Sequence, residues 1–158
     1  MKLSRAYLAG LIDGEGSISI YRRNPGINGY TSIQPFLFTP VFKIGMTGEI
    51  AKQIIVSIQE KYGGDFWIRD YENGYKPCAV LTIKGRKIML FLKEIYPFLI
   101  VKKEQARIIF EFFSGEMTQK EWKSQEMPKS EYERRKALYE KIRTLNLKGT
   151  KESVAETK

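Results

Sequence analysis

The sequence predicts a mixed α/β (α+β) domain of antiparallel strands and helices, on three observations. Its hydrophobic period changes from helical to two immediately after Gly16. The segments then run helix, two strands, helix, two strands, helix and further helices, with hairpin-type turn residues inside each strand pair. At 158 residues, 42% hydrophobic and 13% aromatic, the chain has enough apolar material for one real core and too much for disorder. It contains no low-complexity run and no clear linker, so residues 1–149 are expected to form a single domain, with 150–158 a flexible tail.

Each element has its own signal. Ser4 to Asp13 (SRAYLAGLID) is helical by period, with Leu8, Leu11 and Ile12 on one side. Ala6, Ala9, Gly10 and Asp13 fall on the other, a small-residue face that lets another backbone come close. Ile18 and Ile20 then alternate with polar neighbours as a first strand, and Asn24-Pro25-Gly26 and Asn28-Gly29 are turn material. A second strand spans about Thr31 to Ile44, where Pro35 and Pro40 argue for an edge or a bulge. Glu49 to Tyr62 is a helix with Ile50, Ile54, Ile55 and Ile58 inward, closed by Gly63-Gly64. Phe66 and Ile68 face inward on a third strand, Asn73-Gly74 turns, and Cys78 to Lys84 returns as the fourth. Gly85–Tyr96 is a helix stopped by Pro97. Lys103–Phe113, Thr118–Gln125 and Ser130–Asn146 follow as helices, the last two opening on the capping-box pairs Thr118/Glu121 and Ser130/Glu133.

Composition narrows the chemistry. Lys and Arg number 27 against 18 Asp and Glu, a net charge of +9 that suits a polyanionic partner. Histidine is absent, which removes Ser–His–Asp and Cys–His hydrolases, imidazole-based zinc sites and nucleases with a histidine base. Carboxylates, lysine, tyrosine, water and hard cations remain. The lone Cys78 allows no intrachain disulfide and points to a reducing intracellular compartment, cytoplasm or organelle interior. No apolar run approaches the ~18 residues of a membrane span, and the start lacks a signal-peptide core, so neither secretion nor a membrane partner is expected.

The outward strand positions are Ser19, Tyr21, Arg23, Val41, Lys43, Trp67, Arg69, Tyr71, Thr82 and Lys84. Cations, hydroxyls and aromatics interleave there as on a groove-reading β surface. Two carboxylates and two glycines, Asp13-Gly14-Glu15-Gly16, close the first helix where it runs into a basic strand. An acid there could hold Mg²⁺ through one or two oxygens, the rest of the shell being water and phosphate; Asp-Gly turns that only satisfy a helix end share this pattern.

The whole string Leu8-Ala9-Gly10-Leu11-Ile12-Asp13-Gly14-Glu15-Gly16 resembles the LAGLIDADG signature of the homing endonucleases at seven of nine positions, with Gly14 and Glu15 in place of its alanine and second aspartate. Tyr96-Pro97-Phe98-Leu99, Lys102 and Gln105-Ala106 resemble a later segment of that family, and Leu145-Asn146 with Lys148-Gly149 its closing helix end. The likeness covers about residues 3 to 149 and implies an αββαββα core with a saddle-shaped antiparallel sheet on DNA and extra C-terminal helices.

By that resemblance Glu15 binds the catalytic metal, the Gly14 carbonyl joins the coordination, and Lys102 sits by the scissile phosphates. The implied metal is Mg²⁺, with Mn²⁺ tolerated and Ca²⁺ supporting binding without cleavage. Where some relatives hold the attacking water with a polar residue, this chain has Met46, leaving Lys43, Thr47 or water alone for that role. One signature supplies one acid, and a double-strand cut needs one per strand, so the resemblance implies a homodimer sealed along Ala6, Ala9, Gly10 and Asp13. The implied activity is site-specific double-strand cleavage at a long, pseudo-palindromic DNA target. An intron RNA maturase, which would add RNA as a partner, and a non-catalytic DNA-binding regulator stand as alternatives on the same scaffold.

Overall fold

Ser4, the start of the predicted first helix, is its cap: the Oγ accepts the Tyr7 N–H at 3.1 Å, and helix α1 runs Arg5–Glu15. The computed structural model describes residues 2–23, 37–71, 74–115 and 127–155, with side chains described as far as 147. Its elements are α1, strand β1 (Gly16–Arg23), β2 (Leu37–Thr47), α2 (Glu49–Tyr62), β3 (Asp65–Arg69), β4 (Cys78–Lys84), α3 (Ile88–Ile95), α4 (Lys103–Phe113) and α5 (Lys129–Ala155). Short 3₁₀ turns at Gly85–Lys87 and Tyr96–Phe98 flank α3. The mixed α+β class and the αββαββα order stand as expected. The predicted turns at residues 24–29, the strand start at 31–36 with Pro35, Asn73 of the hairpin and the Thr118–Gln125 helix lie outside the described residues.

The four strands form one antiparallel sheet in the order β1-β2-β4-β3. β2 as a whole is interior, and the edge or bulge that its prolines argue for concerns only the end that carries them. Its Pro40 lies just ahead of the β4 ladder, which opens at Val41 opposite Lys84, so the missing N–H removes no bond from that ladder.

The chain divides into two compact units. The first comprises Met1–Ile18 and Val41–Ala106. Its core holds Ile12, Phe42, Ile44, Ile55, Ile58, Leu81, Ile83, Phe91 and Leu92. Phe91 is the hub, 4.8 Å from the Phe42 ring and edge-on to Tyr62 at 5.0 Å. On α2 the buried face is Ala51, Ile54, Ile55, Ile58 and Tyr62, while Ile50, expected inside, is 70% exposed in the first turn. Ile68 is likewise exposed, because β3 is a short edge strand with a neighbour on one side only.

The second unit comprises Ser19–Pro40 and Arg107–Lys158. Phe38 packs between Tyr132 and Tyr139 at 5.6 and 5.5 Å, above a core with Ile109, Phe112, Leu138 and Ile142. Helix α5 starts at Lys129, so Ser130 stands inside its first turn and not at the cap. Its backbone stays helical past the predicted Asn146 end to Ala155.

Candidate active site

Gly16 sets the geometry at the end of α1. A Cβ there would lie 2.9 Å from the Ile12 carbonyl oxygen and 3.0 Å from the Phe42 ring, so only glycine lets β1 leave the helix at this angle. Glu15, the last helical residue, is thereby left at the surface, where its carboxylate has no partner among the described residues. That is the wrong end of a helix for an acid: the carbonyls of the last turn carry the negative pole. A cation is called for.

Lys102 supplies one. Its ammonium donates to the Asp13 carbonyl in the last turn of α1, one residue from Gly14 and two from Glu15. The Asp13 carboxylate in turn accepts the Ile100 N–H on Oδ2 and the Lys102 N–H on Oδ1, both at 2.8 Å. Each Asp13 carboxylate oxygen therefore has a backbone donor, while Glu15 has no partner among the described residues and the ammonium keeps donors to offer. Lys102 also begins α4, its carbonyl accepting the Ala106 N–H at 3.1 Å.

The small-residue face of α1 needs correcting. Ala9 is fully buried inside the chain and Asp13 is engaged by the Ile100–Lys102 segment, so neither lines a free face. The exposed stripe is Ala6, Tyr7, Gly10 and Gly14. A Cβ at Gly10 or Gly14 would meet nothing within 4 Å among the described residues, whose packing therefore demands neither glycine.

On the sheet, ladder pairing brings Val41 beside Lys84, Lys43 beside Thr82, and Thr82 beside Asp65. Thr82 is only 4% exposed and Val41 1%, which removes both from the predicted contact surface. Lys43 is half-buried with its ammonium 6.0 Å from the centre of the Trp67 ring, and Trp67 and Tyr71 are exposed. Arg69 is exposed opposite Cys78. Lys84 is paired at 2.9 Å with Asp65, an acid at the start of β3 in phase with Trp67 and Arg69, whose pKa that lysine lowers. In the second unit, Tyr21 and Arg23 are exposed and Ser19 half-buried on β1. Met46 is half-buried and Thr47 exposed.

No family model and no curated protein matches the sequence. Solved structures do match its fold. The homing endonuclease I-CvuI, in complex with the I-CreI target in 2 mM Mg with the DNA not cleaved, aligns over 89% of this chain and 80% of its own, at TM-score 0.66 and 18% identity. The archaeal intron-encoded I-Vdi141I, complexed with DNA, covers 89% and 82% at TM-score 0.63 and 20% identity. A DNA complex of the LAGLIDADG homing endonuclease I-GzeII aligns with 70% of this chain and 35% of its own, at TM-score 0.51 and 18% identity. The chain has the LAGLIDADG homing-endonuclease fold. Within that fold, the string Leu8–Gly16 runs along α1 into the first residue of β1, and Lys102 meets it at Asp13 from 89 residues away. No local pattern announces that meeting; its only trace in the sequence is a lysine placed at the N-terminal end of a helix, where the dipole disfavours it. Tyr7 stands one residue off the small-residue positions that the helical period singles out, whereas Asp65 is in phase with Trp67 and Arg69 and is legible from strand alternation once β3 is started at residue 65. A groove of about 740 Å³ lies at the opposite end of α1, lined by Lys2, Arg5, Ser57, Lys61 and Tyr62 among others, and includes neither Glu15 nor Lys102. Among the described residues no helix is long and apolar enough to cross a membrane.

Proposed function

We propose that the chain is one subunit of a homodimeric, Mg²⁺-dependent endonuclease that makes a double-strand break at a long, specific DNA site. The observation that carries this reading is the unpartnered Glu15 at the end of α1, beside a lysine tied to the same helix turn. Among the described residues no three acidic, cysteine or histidine side chains cluster, so one chain offers a single carboxylate with nearby backbone carbonyls. That donor set suits Mg²⁺, which keeps most of its shell for water and phosphate oxygens. Glu15 and the Gly14 carbonyl would hold the ion. Bound there, it would polarise a scissile phosphate and sharpen a water into a nucleophile. Lys102 would stabilise charge building on the phosphoryl oxygens as water adds and the P–O bond to the leaving strand breaks.

The need for two acids, one per strand, supports the dimer. Two solvent-facing glycines in α1 each cost about 1 kcal/mol of helix stability relative to alanine. A second α1 packed along Ala6, Tyr7, Gly10 and Gly14 would repay that by close backbone approach. The exposed cations and aromatics of the sheet, Lys43, Trp67, Arg69 and Tyr71, supply phosphate and base contacts for duplex DNA.

The test is a randomised duplex library incubated with the protein and Mg²⁺, the cut ends being sequenced, with Glu15→Gln and Ca²⁺ as parallel arms. Wild type is expected to cut one symmetric motif in Mg²⁺, and both arms to bind that motif uncut. Specific binding with no cutting in any metal would instead favour a regulator, and selective retention of structured RNA a maturase.

A further inference from the structure

We propose that Asp13 is a positioning residue: it holds Lys102 so that the ammonium stands beside Glu15, and the first acid of the signature thus serves the second. The inference rests on the endonuclease reading of Glu15 and Lys102. Three hydrogen bonds close a loop between residues 13 and 102. The carboxylate takes the main-chain N–H of Ile100 and of Lys102, each at 2.8 Å, and the Lys102 ammonium returns to the main-chain carbonyl of Asp13. A lysine is a long, four-torsion stem that ordinarily samples many rotamers. Here both ends, the backbone and the charged head, are tied to one residue of α1.

Packing does not do this job. Leu99 is buried, but Ile100 and Val101 are 84% and 67% exposed, so the strap that leads into Lys102 has no apolar anchor of its own between Leu99 and α4. What fixes it is the carboxylate, set where the first N–H groups of α4 favour negative charge. The arrangement also explains why an acid is needed and not merely a polar side chain. Both oxygens accept from N–H donors, and asparagine would turn one of those acceptors into a donor facing a donor.

Asp13→Asn in the full chain is the test, beside Lys102→Met and the double variant. Single-turnover cleavage at saturating DNA in Mg²⁺ is expected to fall about 10- to 100-fold, with DNA affinity in Ca²⁺ within about twofold of wild type. In the Lys102→Met background Asp13→Asn should slow cleavage no further than about twofold, because the group it positions is gone. A second reading needs neither cleavage nor a variant that folds. In the wild-type protein the Ile100 and Lys102 amides should exchange with solvent at least about tenfold more slowly than the exposed Val101 amide. Full additivity in the double variant, or unprotected Ile100 and Lys102 amides in wild type, overturns the proposal. Failure of wild type to cut any DNA would sink the endonuclease reading on its own, and the amide exchange would still decide whether Asp13 holds the strap.

Discussion

Glu15 and Glu131 are both carboxylates at helix ends next to cationic side chains, and they are treated in opposite ways. Glu131 stands in the first turn of α5, where the dipole favours an acid. It accepts from Arg134 at 2.7 and 2.8 Å and from Arg135 at 2.8 Å, with 13% of its side chain exposed. Arg134 passes the connection on to the Glu111 and Phe112 carbonyls at the end of α4, and Arg135 covers the Phe112 ring at 4.6 Å. Every charge in that cluster is answered from within, and its output is the joining of two helices. Glu15 stands at the disfavoured end of α1, exposed and unanswered, while its neighbour Asp13 takes up the local donors. A cluster with all its bonds made holds structure together; the carboxylate left over is, on the reading proposed above, the one that takes the metal.

The sharpest way to break that contrast is to neutralise each glutamate. Glu15→Gln should reduce DNA cleavage by on the order of 10³-fold or more, through loss of the metal's anionic ligand. Its melting temperature should stay near wild type. Glu131→Gln should do the reverse, leaving cleavage per folded molecule intact and removing about 1–3 kcal/mol of stability as charged hydrogen bonds are lost. Denaturant titration and single-turnover kinetics on both variants check this, and a Glu15→Gln protein as destabilised as Glu131→Gln would erase the distinction. The Arg134 and Arg135 guanidinium groups hold the Glu131 carboxyl below the ordinary glutamate range. A depressed folded pKa means a contribution that is complete above the unfolded value of about 4.3 and lost as pH falls through the folded one. The stability gap between wild type and Glu131→Gln should therefore begin to narrow below the unfolded value of about 4.3 and close only as pH falls past the depressed folded one.

A second break concerns what α1 leaves exposed. Gly10→Leu adds a side chain whose Cβ meets nothing within 4 Å among the described residues, so the monomer fold should survive. If a partner α1 packs there, the dimer should not. Sedimentation velocity should then show a monomer, and double-strand breaks should give way to nicks or to no product. A wild type that is monomeric on its DNA would remove the homodimer from the proposal.

How much of this was legible in the sequence follows from the range of the interactions. The signature string, the change of period at Gly16 and the α4 boundaries are local, and they stand as read. Other positions depend on more than the local pattern. Both faces of α1 are apolar or small, so period alone does not tell that Ala9 meets the rest of the chain. Strand alternation points Thr82 outward, yet β4 lies between β2 and β3, with Lys43 and Asp65 as its ladder partners, and Thr82 is buried. The tie of Asp13 to Lys102 spans 89 residues, and nothing local to either residue encodes it. What long-range packing decides, the pattern of one segment could not say.

The smallest expected effects lie on the sheet, where one cation stands alone as Glu15 does and another is held in a solvent-exposed pair. Arg69 is exposed with no partner among the described residues, whereas Lys84 is held by Asp65 in an exposed pair at 2.9 Å. If the sheet reads DNA, Arg69→Ala should cost about 1–3 kcal/mol per half-site and relax preference at one symmetric pair of positions. Lys84 must leave Asp65 to reach a phosphate, so its removal should show chiefly in salt dependence. Lys84→Ala should flatten the slope of log affinity against log salt by about 0.9 per subunit, close to 2 for a dimer, with the sequence profile unchanged. Asp65→Asn should move the other way, because it frees the Lys84 ammonium and takes a negative charge away from the DNA: binding tightens and the slope steepens. Salt titrations of the three variants against one bound site distinguish these outcomes. If Asp65→Asn leaves both affinity and slope where they were, Lys84 makes no phosphate contact and the exposed pair is ornament on a surface that DNA does not touch.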